Sequence, residues 1–168
     1  MAAPTTPPAP ITFGKALGGR AGVPILWGIE GTTQSYKAGS PLIFSSGTLV
    51  AATSPLSSSN LCIGFAAADA SGTTGAKAPY HPAIVGLLWE GTLTKTASTN
   101  ALVATNIGLI YAITKDTVSG NWYLEATATA TDGGLVWEAR DISQIGNAVT
   151  GVDARVYFAL TRPQVLGG

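Results

Sequence analysis

The chain has 168 residues, enough to bury one good core and short for two, so the starting expectation is a single domain. Lys plus Arg and Asp plus Glu balance at nine each, so no net field gathers phosphates, acidic substrates or an anionic membrane surface, which argues against nucleic acid and membrane as partners. Only 11% of the residues are charged, against about 25% in an average soluble domain, so the polar surface must be built from Ser, Thr, Asn and Gly.

The N-terminus, Met1 to Pro8, has neither a basic n-region nor an apolar h-region. No stretch reaches the ~18 apolar residues of a membrane span. From Pro4 to Pro10 prolines recur among Ala and Thr, which removes backbone donors and biases the segment to an extended course. Ile11 to Trp27 then scatters Phe13, Leu17, Val23 and Ile25 among Gly14, Gly18, Gly19 and Gly22, with neither a 3.6 nor a 2.0 period. Residues 1–30 are therefore read as an extended Pro/Gly-rich arm and 31–168 as a β domain.

From Gln34 onward short apolar runs are divided by Gly, Ser, Asn and Asp clusters, the pattern of strands joined by hairpins. Pro41–Phe44 and Thr48–Ala51 form a first pair around Ser45-Ser46-Gly47. Leu61–Ala67 and Ile84–Leu93 are nearly continuous in apolar residues, as strands buried on both faces would be. Leu109–Thr114 and Trp122–Ala128 flank Val118-Ser119-Gly120-Asn121, a tip that supplies positive-φ residues. Ala126–Thr131 alternates small apolar with β-branched polar residues and ends in Asp132-Gly133-Gly134, a turn leading into Leu135–Glu138. Asp141–Gly146 suits one helical turn, too short to be stable alone, and Arg155–Leu160 is the last strand before Pro163. The fold expected is all-β, a single small β-barrel or β-sandwich (β-tulip-like) with an extended N-terminal arm.

Residues for chemistry are few. His81 is the only histidine, so any Ser-His-Asp mechanism must pass through it, with Asp69 as the available acid, yet no Gly-x-Ser-x-Gly elbow is present. One His and one Cys cannot make a structural zinc site, and Cys62, within Leu61-Cys62-Ile63, reads as a buried small hydrophobe. Two carboxylates for glycoside hydrolysis would have to come from distant strands, Glu90 with Glu125 or Glu138, beside Trp89, Tyr123 and Trp137. No glycine set forms a phosphate-binding loop. The reading is a non-enzyme with no catalytic residues, no cofactor and no metal.

In the order of its elements from Tyr36 to Leu160 the chain resembles the head decoration, or cement, proteins of tailed bacteriophages. The likeness rests on Tyr36-Lys37-Ala38-Gly39-Ser40-Pro41 before a hairpin, Leu61-Cys62-Ile63-Gly64-Phe65-Ala66-Ala67-Ala68-Asp69-Ala70 before a Gly-rich loop, and Ile84-Val85-Gly86-Leu87-Leu88-Trp89-Glu90-Gly91. It continues with Asn106-Ile107-Gly108-Leu109-Ile110-Tyr111, Asn121-Trp122-Tyr123-Leu124 and Arg155-Val156-Tyr157-Phe158. After Lys-Ala-Gly, where similar proteins often carry an acidic residue, this chain has Ser40. The resemblance implies a virion protein made in the host cytoplasm and carried on the outer surface of the capsid. Its implied partners are the major capsid protein and itself, as a homotrimer. A proline-stiffened arm suits such docking, because it loses little entropy on ordering and can add to a neighbour's sheet edge. Pro7, Pro8, Pro10, Ile11, Phe13 and Trp27 are its candidate contacts. The alternative is a carbohydrate- or partner-binding module of a phage tail or fibre, with the tryptophans stacking on sugars.

Overall fold

A computed structural model describes residues 8–17, 22–56, 62–94, 106–140 and 154–161. Among them are eleven β-strands and no α-helix: β1 Thr12–Ala16, β2 Leu26–Ile29, β3 Pro41–Ser45, β4 Thr48–Ala51, β5 Gly64–Ala66, β6 Lys77–Pro82, β7 Leu87–Thr94, β8 Ile110–Lys115, β9 Trp122–Thr129, β10 Gly134–Ala139 and β11 Ala154–Leu160. The fold is all-β and contains a closed barrel.

Five strands close that barrel in the order β7–β11–β10–β8–β9, and β9 returns to β7 through a parallel pairing, Leu93 opposite Leu124 and Thr94 opposite Glu125. β7 lends one edge to two partners in succession, its first half to β1 and its last two residues to β9. Closure removes the free edges that an uncharged chain can protect in few other ways. The interior is filled by Trp89, Leu93, Ile113, Trp122, Leu124, Val136, Val156 and Phe158, all buried.

The second sheet has the order β2–β6–β5–β3–β4. It curls until Glu30, just after β2, bridges to Leu49 of β4, and the Gly31 N–H donates to the Leu49 carbonyl at 2.9 Å. Tyr36, Leu42, Leu49, Ile63, Ala66, Ala78 and Tyr80 form its own small core. The described residues thus form two hydrophobic clusters where the length suggested one. β5 lies between them, and its adjacent residues Phe65 and Ala66 face opposite cores, as successive residues of a strand must. Phe65 enters the barrel cluster, its ring centroid 4.4 Å from that of Trp89 and 6.4 Å from that of Phe158. This explains the nearly continuous apolar run around Cys62–Ala66: both faces of the segment are covered.

The first hairpin turns on Ser46 and Gly47, with φ of 48° and 80°, the two successive positive values that a two-residue hairpin loop matching strand twist requires. The turn at Asp132–Gly134 does not fold β10 back along β9. It carries the chain to the other edge of β8, where Leu135 pairs with Ile110. The helical turn expected at 141–146 lies outside the described residues.

Residues 8–17 do run extended, but laid onto the barrel. β1 is hydrogen-bonded to β7, β2 to β6, and Ile11 is a core residue, so the boundary drawn near residue 30 does not part an arm from the domain. The segment lacked a clean period because β1 is bulged between Phe13 and Lys15, and both strands are edges. Gly39, at φ 80°, has no room for a side chain because the backbone of Ile11 passes directly over it. Around it the turn is tied on every side. Ala38 N–H donates to Asp69 Oδ1 at 2.8 Å, Lys37 N–H to the Ser40 hydroxyl at 3.2 Å, and Lys37 Nζ to the Ser119 carbonyl at 2.8 Å. Asn121 Nδ2 donates to the Pro8 carbonyl at 2.8 Å. Lys37-Ala38-Gly39-Ser40 is the junction between the N-terminal segment, the second sheet and the β8–β9 hairpin.

Candidate functional site

An apolar pocket of about 310 Å³ opens at the end of the barrel where β1 leaves it and β7 begins. That is the lower end of the ~300–1,000 Å³ range of small-molecule sites. Leu17, Ile84, Val85, Trp137 and Thr161 wall it, and Trp89 lies at its floor. Two backbone bonds set the near wall: Leu17 N–H to the Gly86 carbonyl at 2.8 Å, and Leu87 N–H to the Ile84 carbonyl at 3.2 Å. Trp137 is presented by a bulge. The pairing of β10 with β11 steps from Val136–Phe158 to Glu138–Tyr157, so Trp137 is the extra residue, turned away from the regular alternation. Val85 is 73% exposed and Trp137 47%. Among the described residues that line it none is ionisable, and the pocket is shaped to seat an apolar group.

Beside it, the outer face of the barrel carries an ionic row. Glu90, Tyr157 and Glu138 stand in register across β7, β11 and β10. Two strand spacings separate the glutamates, roughly 10 Å between Cα atoms. Glu90 accepts from Arg155 Nε at 2.9 Å and Arg140 at 3.0 Å, and Arg155 also reaches Thr92 Oγ1 at 3.2 Å. Lys15 pairs with Glu138, its ammonium 5.0 Å from the centre of the Tyr157 ring. Each carboxylate of the pair named from sequence is thus held by a cation, with a tyrosine between them. Glu125 lies at the far end of β7, opposite Thr94, and binds the Tyr123 hydroxyl at 3.2 Å and the Thr127 N–H at 3.0 Å.

The remaining chemical candidates are absorbed by the framework. His81 pairs with Phe65 at the seam between the two clusters, and its Nδ1 is buried with no hydrogen-bond partner among the described residues. Asp69, the acid available to it, is engaged by the Ala38 amide. Burial pushes the Cys62 thiol up to about 12, so it is not a nucleophile at neutral pH, and it donates to the Gly64 carbonyl at 3.2 Å. Among the described residues no group of three or more His, Cys, Asp or Glu stands ready for a metal.

Sequence reasoning missed Glu30, which is 1% exposed. Its carboxylate accepts from the Ser71 and Gly72 amides, both at 2.9 Å, and from the Tyr36 hydroxyl at 3.4 Å, clamping the Gly-rich loop to the second sheet. Burial, and then the negative charge of Glu30, push the Tyr36 phenol up to about 12. The signal for Glu30 was slight: one acid at the end of an apolar run, six residues before a tyrosine in a chain with few charges.

Of the candidate docking residues, Pro7 lies outside the described residues, Pro8 is buried and Pro10 is exposed. Ile11 is spent in the barrel core, and Phe13 packs edge-on against Trp89 at 6.4 Å. Trp27 is different: it is 64% exposed on β2, with Ile25 and Ile29 exposed to either side. Gly28 between them lies against the Leu49 side chain, so Trp27 and Ile29 project from the opposite face of the strand. Compared with protein families, curated proteins and solved structures, the chain matches none.

Proposed function

We propose that this chain is a structural virion protein that decorates and cements the capsid of a tailed bacteriophage, binding the major capsid protein and further copies of itself as a homotrimer. The observation that carries the reading is the outward face of the short edge strand β2, where Trp27 and Ile29 are exposed together with Ile25 just before the strand. Single exposed apolar residues are ordinary, but a contiguous set containing a tryptophan is the composition of an interface centre. The low charge removes the self-repulsion that keeps soluble domains apart. The soft likeness to decoration proteins from Tyr36 to Leu160 supplies the class of partner. The test is binding of purified chain to capsids that lack it. Trp27→Asp should leave the fold intact and weaken binding by about 30-fold or more, a loss of about 2 kcal/mol for a central anchor. Unchanged binding would overturn the reading.

A second reading has its own observation: Trp137, half-exposed at the mouth of a pocket, is placed as a sugar-stacking residue would be. It predicts that glycans of the host surface shift tryptophan fluorescence in the full chain and not in Trp137→Ala.

A further inference from the structure

We propose that Trp27 of one copy of this chain seats in the barrel-end pocket of another copy, a knob-and-pocket contact that builds the assembly. The proposal rests on the reading of β2 as a contact face and names a second copy, not the shell, as what Trp27 meets. The chain carries both halves. Trp27 is 64% exposed on the outward face of β2, and the pocket is a recess of about 310 Å³ walled by Leu17, Ile84, Val85 and Trp137 over the buried Trp89. Register keeps the two apart within one copy. β2 holds Trp27 opposite Pro79 of β6, and the pocket wall begins at Ala83, four residues further along the chain, roughly 13 Å at the rise of a strand. Trp27 is accordingly not among the residues that line its own pocket.

The chemistry of the two halves is complementary. An indole is a broad apolar ring system with one N–H donor and no acceptor. The lining is apolar with one side-chain acceptor, the Thr161 hydroxyl. That hydroxyl donates to the Gly133 carbonyl at 3.3 Å and accepts from the Gly133 N–H at 3.0 Å, which leaves one of its two lone pairs for an incoming donor. Trp137 at the rim adds an aromatic partner, and aromatic anchors pair with one another at interface centres. A seated tryptophan buries about 150–250 Å², a fraction of the roughly 1,600 Å² of a stable interface. One knob therefore supports only a weak pair. A knob and a pocket at separate places on one chain make a head-to-tail contact, however, and repeating it closes a ring in which every copy is held twice. A homotrimer is one such ring.

The test is sedimentation of the purified full chain, without capsids, over a series of concentrations. The parent should assemble. Trp27→Ala and Val85→Asp, both at exposed positions, should leave the fold intact and each weaken assembly by about 30-fold or more. Trp27→Phe, which fills the pocket but lacks the N–H, should lose only roughly 3- to 10-fold. The deciding sample mixes the two severe variants. Val85→Asp keeps its Trp27 and Trp27→Ala keeps its pocket, so together they should form a pair that neither forms alone. A parent that sediments as a monomer throughout, assembly that survives either severe variant, or a mixture that stays monomeric would overturn the proposal. Capsid binding is read separately. A chain that assembles in this way but ignores capsids sinks the cement reading alone, and one that binds capsids while staying monomeric sinks this proposal alone.

Discussion

The barrel and the second sheet are built from the same number of strands and hold themselves together by different means. The barrel closes on itself through the β7–β9 pairing around large aromatic side chains. The second sheet closes through one bridge, Glu30 to Leu49, around a core whose members include Ala66 and Ala78. What it lacks in apolar volume it makes up in directed polar ties: the Glu30 clamp on Ser71 and Gly72, Asp69 on Ala38, and Gln34 Oε1 on the Ala51 N–H at 2.9 Å. A closed aromatic core is self-sufficient, whereas a small one depends on its neighbour and on buried hydrogen bonds. β2, the strand with the exposed tryptophan, belongs to the dependent half.

The most severe way to break this arrangement is Phe65→Ala. Phe65 is the second sheet's main investment in the barrel, against Trp89 and Phe158, and removing a buried phenyl ring costs about 3–5 kcal/mol. Chemical denaturation should show the unfolding free energy falling by about that amount and the single transition splitting, the second sheet melting first. A single transition with a loss under about 1 kcal/mol would mean that the two halves are not coupled through Phe65.

Glu30→Gln is smaller and local. The amide keeps the size of the carboxylate but offers one acceptor oxygen where two receive the Ser71 and Gly72 amides. One buried donor loses its partner, at about 1–3 kcal/mol. Hydrogen exchange should quicken at Ser71, Gly72 and Gly75 while the amides of β7 and β11 keep their protection. The phenol of Tyr36 should titrate below its present value of about 12, yet stay above the ordinary range, because burial is the larger cause of its shift. Exchange that quickens in the barrel as well would mean that the clamp stabilises the whole molecule.

Much of this architecture was legible because strands announce themselves locally. Ser46-Gly47 fixes a hairpin through its own backbone preferences, and the run around Phe65 is apolar on both faces because it lies between two cores. What was not legible depended on partners far away in the chain. β1 and β2 read as an arm because edge strands need no strict alternation, and the backbone of Ile11 meets Gly39 only after folding. The pocket draws on Leu17, Ile84 and Val85, Trp137 and Thr161, four separate stretches that no local pattern joins. Trp27 is the aromatic among the candidate contacts that stands exposed, because its neighbour Gly28 gives up its place to Leu49 and the tryptophan must face outward.

The polar strap between the halves should yield the smallest effect, visible only as pH dependence. Asp116 caps the β8–β9 hairpin, accepting from the Ser119 hydroxyl, from the Ser119 amide at 2.8 Å and from the Val118 amide at 3.2 Å. Burial opposes its ionisation, but these hydrogen bonds outweigh burial and hold the carboxyl below its ordinary range. A carboxyl depressed in the folded state stabilises the fold fully above its unfolded pKa of about 3.9. That contribution is lost as the pH falls through the lower, folded value. The same tip holds Lys37 through the Ser119 carbonyl and the Pro8 carbonyl through Asn121, so acid should loosen the N-terminal segment before it opens the barrel. Asp116→Asn should remove this acid-dependent part of the stability curve below about pH 4 while leaving stability at neutral pH lower and flat. If the mutant and the parent lose stability in parallel as the pH falls, the acid sensitivity belongs to other carboxylates and not to the cap at Asp116.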